Sequence, residues 1–187
     1  MKKKTIIGAI VMVLAVLAAI PLGARRTMDR LYDKAKESYY YDSTGYAIYQ
    51  GLEDRQAAAA NLVTLGYRYA DQSEELAGSV RLLEDQIAQA KRYTYDVDRL
   101  SDAVNADSIM GATARHVVTL LETVTLSQKD AKYPSQLLAD LDSEYDKLSR
   151  SSYNDDAREY NAKLEQLPVK WLVPVAGIRT MAVFTRA

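Results

Sequence analysis

Proline occurs only at positions 21, 134, 168 and 174. The stretch from 25 to 133 therefore holds nothing that removes a helical hydrogen bond or clashes with the preceding turn, so long uninterrupted helices are permitted. Its apolar residues recur at helical spacing. Leu76, Val80, Leu83, Ile87 and Ala90 step alternately by four and three, the seam that lets one helix lie along another, and Asp71 or Ser73 ahead of Glu74 and Glu75 supplies an N-terminal cap. Between Tyr46 and Tyr69, Ile48, Leu52, Ala59, Leu62, Val63 and Tyr67 form a second stripe. Met110, Val117, Leu121 and Val124 give a third, in a segment from about Ile109 to Lys129 with Asp107 or Ser108 as its cap. The region near Asn105 reads equally as a kink, a turn or continuous helix.

Pro134 suits the first turn of a last long helix running to Leu167. Its stripe is Leu137, Leu141, Tyr145 and Leu148, continued one position later by Tyr153, Ala157, Tyr160, Leu164 and Leu167, a local change of register. Strand-like alternation is missing. Four apolar stripes cannot be hidden singly, so the prediction is an all-α chain with an antiparallel four-helix bundle over residues 46–168.

Residues 5–24 carry no charge and lie between Lys2, Lys3, Lys4 and Arg25, Arg26. At about 1.5 Å per residue such a run spans a hydrocarbon core of roughly 30 Å, so residues 1–24 are expected to be an N-terminal transmembrane anchor, a cleaved signal peptide being the alternative. Basic residues flank both ends. Asp29 and Asp33 dilute the positive charge on the C-terminal side, which favours an N-terminus inside and a domain outside. Residues 25–45 are expected to form a helical stalk that ends in the turn formers Asp42-Ser43-Thr44-Gly45. The tail, 169–187, is apolar but interrupted by Pro174 and Gly177. It either caps the bundle or lies at the membrane interface with Lys170, Arg179 and Arg186 toward headgroups.

The chemistry that this composition excludes is extensive. Without cysteine there is no disulfide, thiolate metal site or thiol nucleophile, and a formal charge of −1 provides no field to hold nucleic acid. His116 is the single histidine. It sits on the flank of a stripe, expected to be packed or half-buried, and Thr113 stands where a Glu-x-x-His iron ligand pair would need glutamate. Asp140 with Glu144, and Asp142 with Asp146, have spacing that a cation could bridge, but Lys147, Arg150 and Arg158 are near enough to pair with such carboxylates instead. The glycines form no phosphate-cradling or dinucleotide motif. The expectation is therefore no catalytic, cofactor-binding or metal residue. Fourteen tyrosines against one phenylalanine are unusual; they suit either a tyrosine-built core or helix surfaces half buried by a partner.

Two segments carry a family resemblance. Tyr153-Asn154-Asp155-Asp156-Ala157-Arg158-Glu159-Tyr160-Asn161, followed by Leu164 and Leu167-Pro168, resembles the Tyr-Asn signature of the LemA family, and Asn61-Leu62-Val63 with Gly66-Tyr67 resembles its Asn-Leu-Val segment. The chain departs from the pattern at Ala60, where the family usually has proline, and in Val173-Pro174-Val175-Ala176-Gly177-Ile178. The resemblance implies a bacterial, membrane-anchored, antiparallel four-helix bundle of poorly defined molecular role, with no catalytic residues to transfer. Tyr153 and Tyr160 share one helix face, and Asn154 and Asn161 beside them are expected to bond across to the facing helix and fix its register.

The functional expectation is a single-pass protein of the bacterial inner membrane, held by lipid contacts of its N-terminal helix. Its helical domain, outside the cytoplasm, would dock a protein partner non-catalytically, with self-association left open. The alternatives are a ligand- or lipid-sensing envelope protein and a hydrolase using His116 or the carboxylates of the last helix, such as Asp156.

Overall fold

A computed structural model of the chain describes residues 22–166, 169–170 and 179–184. Helix α1 covers 22–40, and α2 (Ile48–Tyr67), α3 (Glu74–Thr94), α4 (Leu100–Leu121), α5 (Tyr133–Ser149) and α6 (Ser152–Leu164) follow. Single 3-10 turns lie at Ala70–Gln72 and Val97–Arg99. No strand is present among the described residues, so the chain is all-α. α2 packs against α3 and α5, and α3 against α4, while α4 and α5 meet less closely. This closes a four-helix bundle from α2 to α5.

The α3 seam is the clearest case of pattern becoming packing. Leu76, Val80, Leu83, Ile87 and Ala90 are all buried; Ser73 caps the helix by accepting the Leu76 N–H at 3.2 Å, and Lys91 and Arg92 occupy the last turn, where the helix dipole favours cations. Those side chains join Leu62, Met110, Val117, Leu121 and Leu141 in an upper core. Each fully buried leucine or valine there contributes roughly 1.5–3 kcal/mol. A second, lower core gathers Met28, Ala35 and Tyr39 of α1, Ile48 and Leu52 of α2, the turn around Val97 and Leu100, Leu148, the buried face of α6, and Met181 and Phe184.

Several elements differ from the sequence reading. α4 begins at Leu100 and runs unbroken through Asn105, so Asp107 is an interior residue and not a cap. The expected final helix is two, because Ser151 stops α5 and caps α6 at the point where the stripe changes register. Tyr67, placed in the α2 stripe, is exposed. Residues 25–45 are helix followed by turn, with Gly45 at φ +79°, but the described helix is not a bare stalk: α1 lies antiparallel to α6, joined by Lys34 to Asp156 at 2.8 Å and by Ser38 to Asp156 at 2.6 Å.

The apolar run 5–24 lies, except for residues 22–24, outside the described residues. Among the described residues no helix is long and apolar enough to cross a membrane. Leu167 and, within the tail, Trp171, Leu172, Val173 and Ile178 also lie outside them.

Candidate functional site

The Tyr-Asn repeat of α6 forms the most elaborate side-chain arrangement among the described residues. The local geometry starts at Asp42. Its Oδ2 accepts the Ser152 N–H at 2.8 Å and the Ser152 hydroxyl at 2.8 Å, tying the α1–α2 turn to the start of α6 and satisfying a donor that the helix leaves free. Burial pushes the Asp42 carboxyl up, but the bonds from Thr44 and Ser152 prevail and hold it at about 2.

From this start, Tyr153 and Tyr160 fall on one face with Asn154 and Asn161 beside them. The four side chains grip an irregular segment, residues 179–184, by its backbone. Tyr153 donates to the Ala182 carbonyl at 2.7 Å, and Tyr160 donates to that of Arg179 at 3.2 Å. Asn161 makes a reciprocal pair with Met181, its Nδ2 donating to the carbonyl at 2.8 Å and its Oδ1 accepting the N–H at 2.9 Å. Asn154 accepts the Phe184 N–H at 2.8 Å. Its Nδ2 donates to the Leu148 carbonyl at 2.9 Å, so one amide closes the end of α5 and holds the tail. The expectation that the asparagines bond to a facing helix is thereby corrected: their cross-chain partner is the C-terminal segment.

The side chains of that segment complete the fit. Phe184 is buried with its ring 5.3 Å from that of Tyr145, and Met181 is buried in the same core. Burial raises the Tyr153 and Tyr160 hydroxyls above the ordinary phenol range, which keeps both as proton donors at neutral pH. A cavity of about 460 Å³ adjoins the clamp, lined by Tyr32, Asp98, Tyr160 and residues 179–182.

The remaining tyrosines divide between core and surface. Tyr39 and Tyr153 are buried edge to face at 5.6 Å. Around them, Tyr40, Tyr49 and Tyr95 continue outward, with ring centroids 5.7 Å and 5.5 Å apart. Tyr95 is 64% exposed, so this series brings an aromatic surface from α1, α2 and the end of α3 to solvent.

The other polar feature is inside the bundle. Arg55 Nε donates to Asp107 Oδ1 at 2.7 Å and its Nη1 to the Leu141 carbonyl, with the Tyr145 ring 5.0 Å from the guanidinium. Both partners are buried, and Asp107 Oδ2 has no hydrogen-bond partner among the described residues. Burial pushes the Asp107 carboxyl up against the opposing pull of Arg55. Arg55, but not Asp107, lines a cleft of about 700 Å³ between α4 and α5, where Gly111 leaves room for the guanidinium and Arg115 and Asp142 pair at 2.7 Å.

The sequence reading does not single out Arg55 and takes Asp107 for a helix cap, yet a signal for the pair exists. Each occupies a seam position of its helix, Arg55 between Leu52 and Ala59 and Asp107 between Ala103 and Met110, where a charge must find a buried partner.

His116 is not packed: its side chain is 52% exposed, with Nε2 3.6 Å from Glu75 Oε1. Glu144 pairs with Lys147, Asp146 with Arg150, and Asp155 with Arg158. Asp156 faces α1. Among the described residues no group of three or more acidic or histidine side chains is placed to hold a metal ion. Compared with models of known families, with curated proteins and with solved structures, the chain matches none.

Proposed function

We propose that the chain is a single-pass, membrane-tethered helical interaction protein of the LemA kind, anchored in a bacterial inner membrane by residues 5–24, with its helical domain outside the cytoplasm and no catalytic task. The observation that carries the docking role is the aromatic surface of Tyr40, Tyr49 and Tyr95. Tyrosine supplies a large apolar face at small entropic cost and is enriched where proteins meet. The membrane assignment is supported by the length and flanking charge of the uncharged run.

The test is photocrosslinking in cells with p-benzoylphenylalanine in place of Tyr95, and at exposed Ser135 as a control position. A discrete protein adduct at 95, absent at 135 and lost on Tyr49→Ala, is the expected result. Recovery of the chain without adduct at 95 overturns the docking role. A ligand-sensing role has one observation in its favour, the α4–α5 cleft with a buried guanidinium at its floor. It requires thermal stabilisation of the domain by a small envelope metabolite or lipid.

A further inference from the structure

The clamp on α6 is organised as a peptide-recognition site. Five hydrogen bonds reach residues 179–184, and every one ends on a backbone atom. Two side chains, Met181 and Phe184, enter the lower core. This is the division of labour seen where extended peptides are recognised: main-chain bonds fix the register, and buried side chains at a set spacing select the sequence. None of these contacts depends on the covalent link between α6 and its occupant. The segment follows all the helices of both cores, so it can leave its seat without unwinding any of them.

We propose that this groove binds the segment in exchangeable form, and that its occupant in trans is the same segment of a second copy, so that two copies trade residues 179–184. A second copy is the partner that these contacts identify, since Met181 and Phe184 at a spacing of three, read through Asn154 and Asn161, are the ligand that the groove fits. The cis arrangement gains from being intramolecular, an advantage that for short flexible links in general is an effective concentration on the order of millimolar. On the membrane-anchored reading proposed above, on which this step rests, confinement of copies to one bilayer raises their mutual concentration, and cis and trans seats then compete on equal contacts. The inference goes beyond the aromatic docking surface and stands without it, because Tyr95 and Tyr49 take no part in the clamp.

The experiment places p-benzoylphenylalanine at position 184 of the full chain, where the Tyr145 ring lies 5.3 Å from that of Phe184. The purified chain is irradiated in detergent at low and high concentration. The expected result is adduct formation with α5 or α6, a covalent dimer fraction that rises severalfold with concentration, and loss of both adducts on addition of a peptide of sequence Arg179–Phe184 at about 1 mM, the level that matches a short tether. Adducts that stay intramolecular at every concentration and are indifferent to the peptide overturn the proposal. If the probe at 184 prevents folding, the same probe at Ala182, which is only partly buried, gives the same readouts. Asn161→Ala is expected to lower the dimer yield in either variant, whereas Tyr95→Ala, the control for the aromatic surface, is expected to leave it unchanged.

Discussion

Two carboxylates show how opposite environments set opposite pH behaviour. Asp42 is held at about 2 in the fold, against an ordinary value of 3.8, because the hydrogen bonds it accepts from Thr44 and Ser152 outweigh its desolvation. A carboxyl whose folded value is depressed adds stability above its unfolded value and loses that contribution as pH falls toward the folded one. The chain should therefore shed on the order of 1–2 kcal/mol between about pH 4 and 2. Asp42→Asn should flatten that part of a stability curve measured by urea unfolding. Asp107 runs the other way, since burial raises its carboxyl against the opposing pull of Arg55 at 2.7 Å. Removing one partner of a buried pair costs about 3–5 kcal/mol, while replacing both by apolar residues is often neutral. Arg55→Met alone should accordingly unfold at much lower urea than the native chain, and Arg55→Met with Asp107→Leu should recover most of the loss. Equal destabilisation of single and double variants would show that the bundle interior needs these charges for something besides mutual pairing.

At the level of helices, glycine separates close packing from exposed surface. A Cβ on Gly66 would stand 2.4 Å from Val80 Cγ2, and a buried valine has little rotamer freedom with which to yield. Gly66→Ala should therefore lose about 1–3 kcal/mol through overpacking of α2 against α3. Gly78, exposed on α3, has nothing within 4 Å of the added carbon, so Gly78→Ala should gain about 0.5–1 kcal/mol from helix propensity alone. Urea midpoints shifting in opposite directions would bear out both. The α3 seam was readable because each of its stripe residues faces a neighbouring helix and burial follows period alone. Where tertiary contacts intervene, period was insufficient. The break at Ser151 depends on Asp42, far away in sequence, capping the new helix, and Asp107 mimics a cap in sequence while serving as the partner of Arg55. The Tyr-Asn spacing correctly put its residues on one face, but its partner is a segment with no periodicity to betray it. The register shift between Leu148 and Tyr153 was visible; that it ends one helix and starts another was not.

For the molecule as a whole, the question is how the two cores stand relative to a bilayer, and Met28 bears on it directly. It is buried in the lower core, only a few residues past the uncharged run that ends at Ala24. On the tethered reading, the lower core, the clamp and residues 179–184 consequently sit close to the headgroups, while the upper core and the turn at Ala70–Gln72 point away. Orientation then rests on charge. Lys2, Lys3 and Lys4 stand undiluted on one side, whereas Asp29 and Asp33 accompany Arg25, Arg26 and Arg30 on the other, so on that reading retention of the lysine side inside is favoured. The absence of cysteine makes this directly measurable. Ser101 lies exposed on α4, and Ser101→Cys in intact spheroplasts should react with a membrane-impermeant maleimide as completely as it does after permeabilisation. Protection until permeabilisation would place both cores in the cytoplasm, and release of the unlabelled chain by alkaline carbonate would remove the anchor altogether.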